Sequence, residues 1–323
     1  MYLTRLTLSL AVTAAVLHGG EIAISDFANN TVSLFTPAGS PIGNPIDVSA
    51  NVSGASGVTI GGDGDIYVTG QNTNNVARYT PSGTFLNNFV APGSGGLSSA
   101  QDVKFGPDGN LYVVSSANDQ ILKYNGATGA FISVFATLNK PSHNGPIDLL
   151  FAPDGFLYVT AFDGSKILRL NEQNGAVVDT FSPPAGADTA FVGVAVTGND
   201  VYASVINPND GTGSVLLYNE TTRALVKTIV SSGQDGLGGP ADLGLLNGQL
   251  LVEDDFNGQV LQFNAATGSF TGTLLQSSSL AAPLFLDVSS IPEPGTWTLL
   301  ALGLMLIFAR RLWSAVHERV DLL

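Results

Sequence analysis

One short pattern, an Asp-Gly turn followed three residues later by a tyrosine, recurs at nearly constant spacing and limits what this chain can fold into. The glycines of its three full copies lie 45 residues (64 to 109) and 46 residues (109 to 155) apart. The copies are Asp63-Gly64 with Tyr67, Asp108-Gly109 with Tyr112, Asp154-Gly155 with Tyr158, and the weaker Gly198–Tyr202, Asn247–Leu251 and Glu21–Ile24. Six copies at this period indicate a repeat architecture with one structural unit per copy.

Each copy is typical of four short strands. In the best-preserved copy the runs Gln101–Phe105, Asn110–Val114, Gln120–Asn125 and Phe131–Phe135 are rich in Val, Ile, Leu, Tyr and Phe. Gly, Asp and Asn separate them, which is the composition of strands between turns. Runs that are apolar throughout indicate sheets packed on both faces. The sequence therefore predicts an all-β fold, a six-bladed β-propeller of four-stranded blades over residues 21–290.

The two ends of the repeat region are complementary. The first copy begins at a second strand, Glu21–Ser25, while Leu284–Val288 has the pattern of an innermost strand with no unit after it. We expect this C-terminal strand to complete the first blade. The ring would then be closed, with no open sheet edge between the first and last blades.

Residues 1–20 have the pattern of a signal peptide. Arg5 precedes the apolar run Leu6–Leu17, which has the length of a signal-peptide core and is too short for a standard membrane span. The alternative is a buried first strand of the domain.

The composition changes abruptly after the last predicted strand, in residues 291–323. An uncharged apolar run, Thr296–Ala309, ends at Arg310-Arg311. Its 14 residues would form a helix of about 21 Å, short of the roughly 30 Å hydrocarbon core, so a buried or re-entrant helix is an alternative. Trp297 and Trp313 suit the two membrane interfaces, and the arginines suit a cytoplasmic end. These flanks favour a transmembrane helix over about 296–309.

Charge and residue counts exclude several functions. Residues 21–291 carry 8 of the 12 basic and 23 of the 26 acidic residues, a formal net charge near −15. So acidic a domain would repel phosphate backbones, which excludes nucleic-acid binding. The chain has no cysteine, and His143 is the one histidine between residues 21 and 291, so a zinc site of cysteines or several histidines is excluded.

Two segments, residues 100–131 and 145–177, resemble NHL repeats and the related six-bladed propellers of the gluconolactonase and streptogramin-lyase type. That group includes metal-dependent lactonases, lyases and binding scaffolds, so the resemblance implies a fold and leaves the activity open. Its calcium-dependent lactonases carry Glu, Asn and Asp at the channel mouth, and this chain has a partial analogue.

Four of the six predicted innermost strands carry an aspartate at the same place, and two carry glycine. The aspartates are Asp102, Asp148, Asp242 and Asp287, and the glycines are Gly57 and Gly193. In one interpretation the carboxylates converge on Ca²⁺ or another hard cation. In the other, each accepts backbone hydrogen bonds and joins neighbouring blades. The repetition favours the second, because a joint is needed once per blade and a metal once per ring.

The tail resembles the PEP-CTERM sorting signal of bacterial exosortase substrates. Pro292, Glu293 and Pro294, the apolar run and the pair Arg310 and Arg311 follow one another in the order of that signal. The resemblance implies export, anchoring in the inner membrane, and cleavage by an exosortase-type sorting protease with release to the surface or matrix. The chain departs from the pattern in continuing for 12 residues beyond the arginines, 312–323.

Two functions follow as hypotheses. The first is an exported, non-catalytic binding scaffold for polysaccharide or protein, located at the cell surface or in the extracellular matrix. The alternative is a secreted metal-dependent enzyme, similar to lactonases or lyases, that uses the channel aspartates. In either case the loops between second and third strands are expected to form a ligand-binding rim.

Overall fold

The computed structural model describes residues 21–138, 145–184, 189–277 and 280–289. The predicted signal peptide, the sorting tail with its transmembrane helix, and His143 lie outside the described residues. Within those residues no helix is long and apolar enough to cross a membrane.

The described chain forms 24 strands in six antiparallel sheets of four, with three short 3-10 turns at Ser94–Gly96, Ser116–Asn118 and Gln234–Gly236. Blade 1 contains β1 (Glu21–Asp26), β2 (Thr31–Phe35), β3 (Ile46–Asp47) and β24 (Pro283–Ser289); blade 2 contains β4 (Ala55–Ile60), β5 (Ile66–Gly70), β6 (Asn75–Tyr79) and β7 (Phe85–Val90); blade 3 contains β8 (Ala100–Phe105), β9 (Leu111–Ser115), β10 (Gln120–Tyr124) and β11 (Phe131–Thr137). Blade 4 contains β12 (Pro146–Phe151), β13 (Phe156–Ala161), β14 (Lys166–Asn171) and β15 (Val177–Phe181); blade 5 contains β16 (Ala190–Thr197), β17 (Asp200–Ile206), β18 (Gly213–Asn219) and β19 (Leu225–Val230); blade 6 contains β20 (Pro240–Leu246), β21 (Gln249–Asp254), β22 (Gln259–Asn264) and β23 (Phe270–Gln276).

The sheets are arranged around a central channel. The innermost strands are β24, β4, β8, β12, β16 and β20, and each packs beside the innermost strands of the two neighbouring blades. The predicted six-bladed β-propeller of four-stranded blades is therefore confirmed. In blade 1 the innermost strand comes from the other end of the described chain, since β24 pairs antiparallel with β1, with Ala23 opposite Asp287.

The recurring Asp-Gly and tyrosine motif is a feature of the fold. Gly109 has φ of 74°, a left-handed conformation that glycine adopts without strain. The Tyr112 hydroxyl donates a 3.1 Å hydrogen bond to the Asp108 carboxylate, which ties the turn to the strand after it. The Tyr112 ring meets Phe135 and Phe151 edge-on at about 5 Å between centroids. The other full copies repeat the bond, Tyr67 to Asp63 at 2.9 Å and Tyr158 to Asp154 at 2.7 Å.

The hydrophobic core lies between blades. One cluster combines Tyr67 and Val90 of blade 2 with Val103, Leu111 and Val113 of blade 3, all buried. Every residue of the strand Leu111–Ser115 is buried, because its two faces pack against different neighbours. This explains why the strands have continuous apolar sequences instead of strict alternation.

Candidate functional site: the channel and its mouth

The four predicted aspartates lie on innermost strands around the channel, at equivalent places in four blades. Asp102, Asp148 and Asp242 are buried, whereas Asp287 keeps 16% of its side chain exposed. The structure brings these four carboxyl groups into one electrostatic cluster around a single lysine, Lys104.

Each aspartate also joins its blade to the next one. In every case a carboxylate oxygen accepts the backbone N–H of a residue on the innermost strand of the following blade. The bonds run to Asp102 from Leu149 (3.3 Å), to Asp148 from Val194 (2.8 Å), to Asp242 from Leu286 (3.1 Å) and to Asp287 from Ile60 (3.0 Å). These four contacts are the blade joints that the second interpretation of the sequence predicted.

The two glycine places differ from the others for a steric reason. A Cβ added to Gly57 would lie 2.5 Å from the Asp102 Cα, and one added to Gly193 would lie 2.8 Å from the Asp242 Cα. The strand of the next blade therefore passes too close for any side chain. Hydroxyls on the second strands still join these two blades to the next, since Thr69 donates to the carbonyl of Gln101 and Ser204 to that of Ala241. Blade 4 makes the same bond from Thr160 to Val192 in addition to its aspartate joint.

Lys104 is the functional side chain of the channel that sequence reasoning missed. Its ammonium lies 3.1 Å from an Asp102 oxygen and 3.9 Å from an Asp287 oxygen. Burial lowers the pKa of Lys104, but the surrounding carboxylates, Asp102 first, outweigh it, so the pKa is raised and the ammonium stays charged. A signal was present, because Lys104 is the one basic residue in the innermost strands and lies two residues after Asp102, on the same face of β8.

The carboxyl groups do not all carry charge at neutral pH. Burial, followed by the charges of Asp242 and Asp102, raises the pKa of Asp148 well above its ordinary value. Burial also raises the pKa of Asp102, although Lys104 opposes the shift, and it raises the pKa of Asp242 to about 7. The same surroundings thus favour the protonated form of Asp148, while the Lys104 ammonium balances the charge of the cluster.

The predicted calcium ligands of the channel already have hydrogen-bond partners in the protein. Ca²⁺ takes six to eight oxygen ligands, whereas each aspartate here already directs an oxygen to a backbone amide and Lys104 supplies the positive charge. Over the described ranges no three acidic or histidine side chains are grouped so as to hold a metal ion. The assignment of Asp102, Asp148, Asp242 and Asp287 as ligands stays a prediction.

A pocket of about 250 Å³ lies at the channel mouth, just outside the aspartates. Its floor is formed by residues that directly precede the channel aspartates and glycines on the innermost strands. Among them are Gln101, Ile147, Val192 and Ala241. Four of the six predicted rim loops contribute Gln71, Phe162, Gly211, and Asp255 with Phe256. We call this cavity the mouth pocket. Its wall is mostly apolar, and Asp255 is the one charged residue among the described residues that line it.

Asp255 differs from the acids beside it, because within the described part of the chain its carboxyl has no hydrogen-bond partner. Asp254 accepts hydrogen bonds from the amides of Gly238 and Gly239, and Asp26 accepts one from the amide of Ala281. No described residue donates a hydrogen bond to the Asp255 carboxyl. Burial, and then the charges of Asp254 and Asp26, raise the pKa of Asp255 to about 6.

Glu253 is a second unpartnered acid, located deeper in the fold. It takes the place on the second strand that Thr160 and Ser204 occupy in blades 4 and 5, and it is fully buried. Neither carboxyl oxygen has a hydrogen-bond partner in the described structure. Burial, and then the charge of Asp242, raise the pKa of Glu253 well above its ordinary value and so favour its protonated form.

Comparison with known families matches two parts of the chain. Residues 88–243 match a family described as a repeat of unknown function (DUF6923), and residues 290–311 match the PEP-CTERM protein-sorting motif. No curated protein matches the chain. The sorting motif implies an exported protein with a C-terminal, membrane-anchoring sorting signal.

Solved propellers share the fold at low identity. A catalytically inactive virginiamycin B lyase from Staphylococcus aureus, crystallised with quinupristin, is 13% identical over 86% of this chain and 87% of its own, with a TM-score of 0.56. A putative 6-phosphogluconolactonase from Bacteroides uniformis is 15% identical over 84% of this chain and all of its own (100%), with a TM-score of 0.58. A chain of a nidogen/laminin complex is 12% identical over 84% and 99%, with a TM-score of 0.63. At these identities the likeness shows the fold alone.

Proposed function

We propose that the propeller is a non-catalytic binding scaffold for polysaccharide or protein at the cell surface or in the extracellular matrix. One observation carries this proposal: the four channel aspartates join the blades and are balanced by Lys104. These groups hold the ring together, which favours a structural channel with a binding face at its mouth. We also propose that the repeats are of the NHL type, because residues 100–131 and 145–177 resemble NHL repeats.

Metal analysis of the purified protein, with and without the substitution Asp148→Asn, tests the proposal. We expect no stoichiometric calcium in either form and equal folding of the two. Stoichiometric calcium that disappears in Asp148→Asn would overturn the structural role of the channel. It would support a metal-dependent enzyme instead.

That enzyme is the second candidate function, and two observations favour it. The channel concentrates four carboxyl groups, and the similar folds include a protein named as a lyase and one named as a putative lactonase. In this candidate Asp102, Asp148, Asp242 and Asp287 would bind the metal, and Lys104 would have to leave the Asp102 carboxylate to admit it.

The tail is proposed to direct sorting and anchoring. In this proposal residues 1–20 are removed as a signal peptide, and a helix over about 296–309 anchors the exported chain. An exosortase-type protease then cleaves near Pro292, Glu293 and Pro294, with Arg310 and Arg311 on the cytoplasmic side. Replacing Glu293 by Ala and following the protein in membrane and extracellular fractions tests this. Retention in the membrane is expected, and unchanged release would contradict it.

The pairing of β24 with β1 is proposed to close the ring in solution. All of β1 is buried, and Phe285 and Leu286 of β24 are buried too, so the loss of β24 would expose the core of blades 1 and 6. Deleting residues 284–289 should therefore lower the melting temperature by many degrees. An unchanged melting curve would contradict closure.

A further inference from the structure

We infer that the mouth pocket receives a lysine side chain from a protein partner, with the Asp255 carboxylate binding its ammonium group. This inference rests on the proposed binding function and names the chemistry of the partner. It is carried by the shape and lining of the pocket, by the unpartnered carboxyl in its wall, and by the charge of the domain.

The walls of the mouth pocket suit an aliphatic chain. Ile147, Val192, Leu284 and Phe285 line it, and the Phe256 ring, 57% exposed, lies at its edge. A lysine buries its four methylene groups along such a surface while its charged end reaches a polar partner. The pocket volume of about 250 Å³ admits one side chain and is small for a folded segment.

The Phe256 ring has its place because two neighbouring residues lack side chains. A Cβ at Gly211 would lie 2.2 Å from the Phe256 ring, and one at Gly239 would lie 3.0 Å from it. The ring therefore covers bare backbone from two blades and presents its outer face to the solvent. An exposed aromatic face beside a carboxylate also attracts an ammonium group.

The carboxyl group of Asp255 supplies the specific contact. It lines the pocket, is half-buried and receives no hydrogen bond from the described residues. Asp254 and Asp26, which lie behind it, already accept hydrogen bonds from backbone amides. An incoming ammonium would meet one carboxylate with free lone pairs, backed by two more acids. The net charge near −15 of residues 21–291 would draw a basic partner towards this face.

Other cationic or polar groups fit the pocket less well. The hydroxyls of a sugar, including an amino sugar, would face Ile147, Val192 and Phe285, where each buried group without a partner carries a cost. The two uncharged polar side chains in the described lining, Gln71 and Gln101, already share hydrogen bonds with Ser99 and Ser56. An arginine would bring five N–H donors to a wall with one carboxylate, whereas a lysine is a compact point charge. The geometry therefore favours a lysine, and hence a protein over a polysaccharide.

The experiment titrates the full-length protein with four small probes. Saturation-transfer NMR measures the binding of each probe. The probes are acetyl-Gly-Lys-Gly-amide, the same peptide with an acetylated lysine, the same peptide with norleucine in place of lysine, and glucosamine. The variant is Asp255→Asn, and the matched control is Asp47→Asn, which removes one acid from an exposed site on β3. Thermal unfolding by circular dichroism verifies that both variants fold.

We expect the lysine peptide to bind at least five-fold more tightly than the acetylated and norleucine peptides. This preference should disappear in Asp255→Asn and persist in Asp47→Asn. Equal binding of the three peptides, or an unchanged preference in a folded Asp255→Asn, would overturn the inference. Tighter binding of glucosamine would assign the pocket to an amino sugar, overturning the lysine inference but not the scaffold proposal, which the metal analysis tests separately.

Discussion

The Asp148 carboxyl accepts a 2.8 Å hydrogen bond from the backbone amide of Val194, 46 residues further along the chain and in the next blade. It also forms a hydrogen bond with the carboxyl of Asp102. Burial and the nearby charges raise the pKa of Asp148 most, and this hydrogen bond raises it further. In its protonated form Asp148 has one hydrogen-bond donor and one acceptor, which an asparagine also provides.

Asp148→Asn should leave stability within about 1 kcal/mol of the wild type, because the amide keeps both hydrogen bonds. Asp148→Ala should destabilise the protein by about 1–3 kcal/mol, because the buried Val194 amide is left unpaired. Urea unfolding at neutral pH measures both. Equal losses in the two variants would argue against the hydrogen-bonding role.

Lys104→Met should destabilise the protein by about 3–5 kcal/mol near pH 8, because it removes the counter-ion of a buried carboxyl cluster. The loss should shrink towards pH 5, since Asp102 and Asp242 can then bind protons in the folded state. The variant should also bind Ca²⁺ more tightly than the wild type. Denaturant unfolding over this pH range and calcium titration are the measurements, and a loss that does not vary with pH would contradict the counter-ion role.

Glu253→Gln should stabilise the protein increasingly as the pH rises. The folded-state pKa of Glu253 lies well above that of the unfolded chain, so folding requires proton uptake and stability falls as the pH rises between the two values. The variant has no such dependence. Its advantage should grow by up to about 1.4 kcal/mol per pH unit above about pH 5. Unfolding free energies at pH 5, 6.5 and 8 measure the trend, and Glu172→Gln, outside the channel, is the control.

Gly57→Ala should destabilise the protein by about 3 kcal/mol, because its methyl group would overlap the backbone of the next blade at Asp102. Gly62→Ala is the matched control, since a Cβ there meets nothing within 4 Å. Thermal unfolding of the two variants should separate them clearly. Similar melting temperatures would show that the blades can move apart at low cost.

Sequence alone predicted the blade count and the four strands of each blade, because these depend on a local pattern repeated six times. It also placed the four aspartates on innermost strands. Whether these aspartates bind a cation or join neighbouring blades depends on the groups that face each carboxyl. Those groups, such as Val194 opposite Asp148, come from another blade and leave no mark near the aspartate in the sequence.

The periodic sequence by itself determined a six-bladed propeller, since turn chemistry and apolar runs act over a few residues and recur at a fixed spacing. Only the tertiary structure decided that Lys104 balances the channel carboxyls, that Glu253 is buried with no hydrogen-bond partner among the described residues, and that Asp255 lines an apolar pocket. The tertiary fold brings together side chains that are far apart in the chain, such as Lys104 and Asp287, about 180 residues apart, and their charges and burial depend on those contacts.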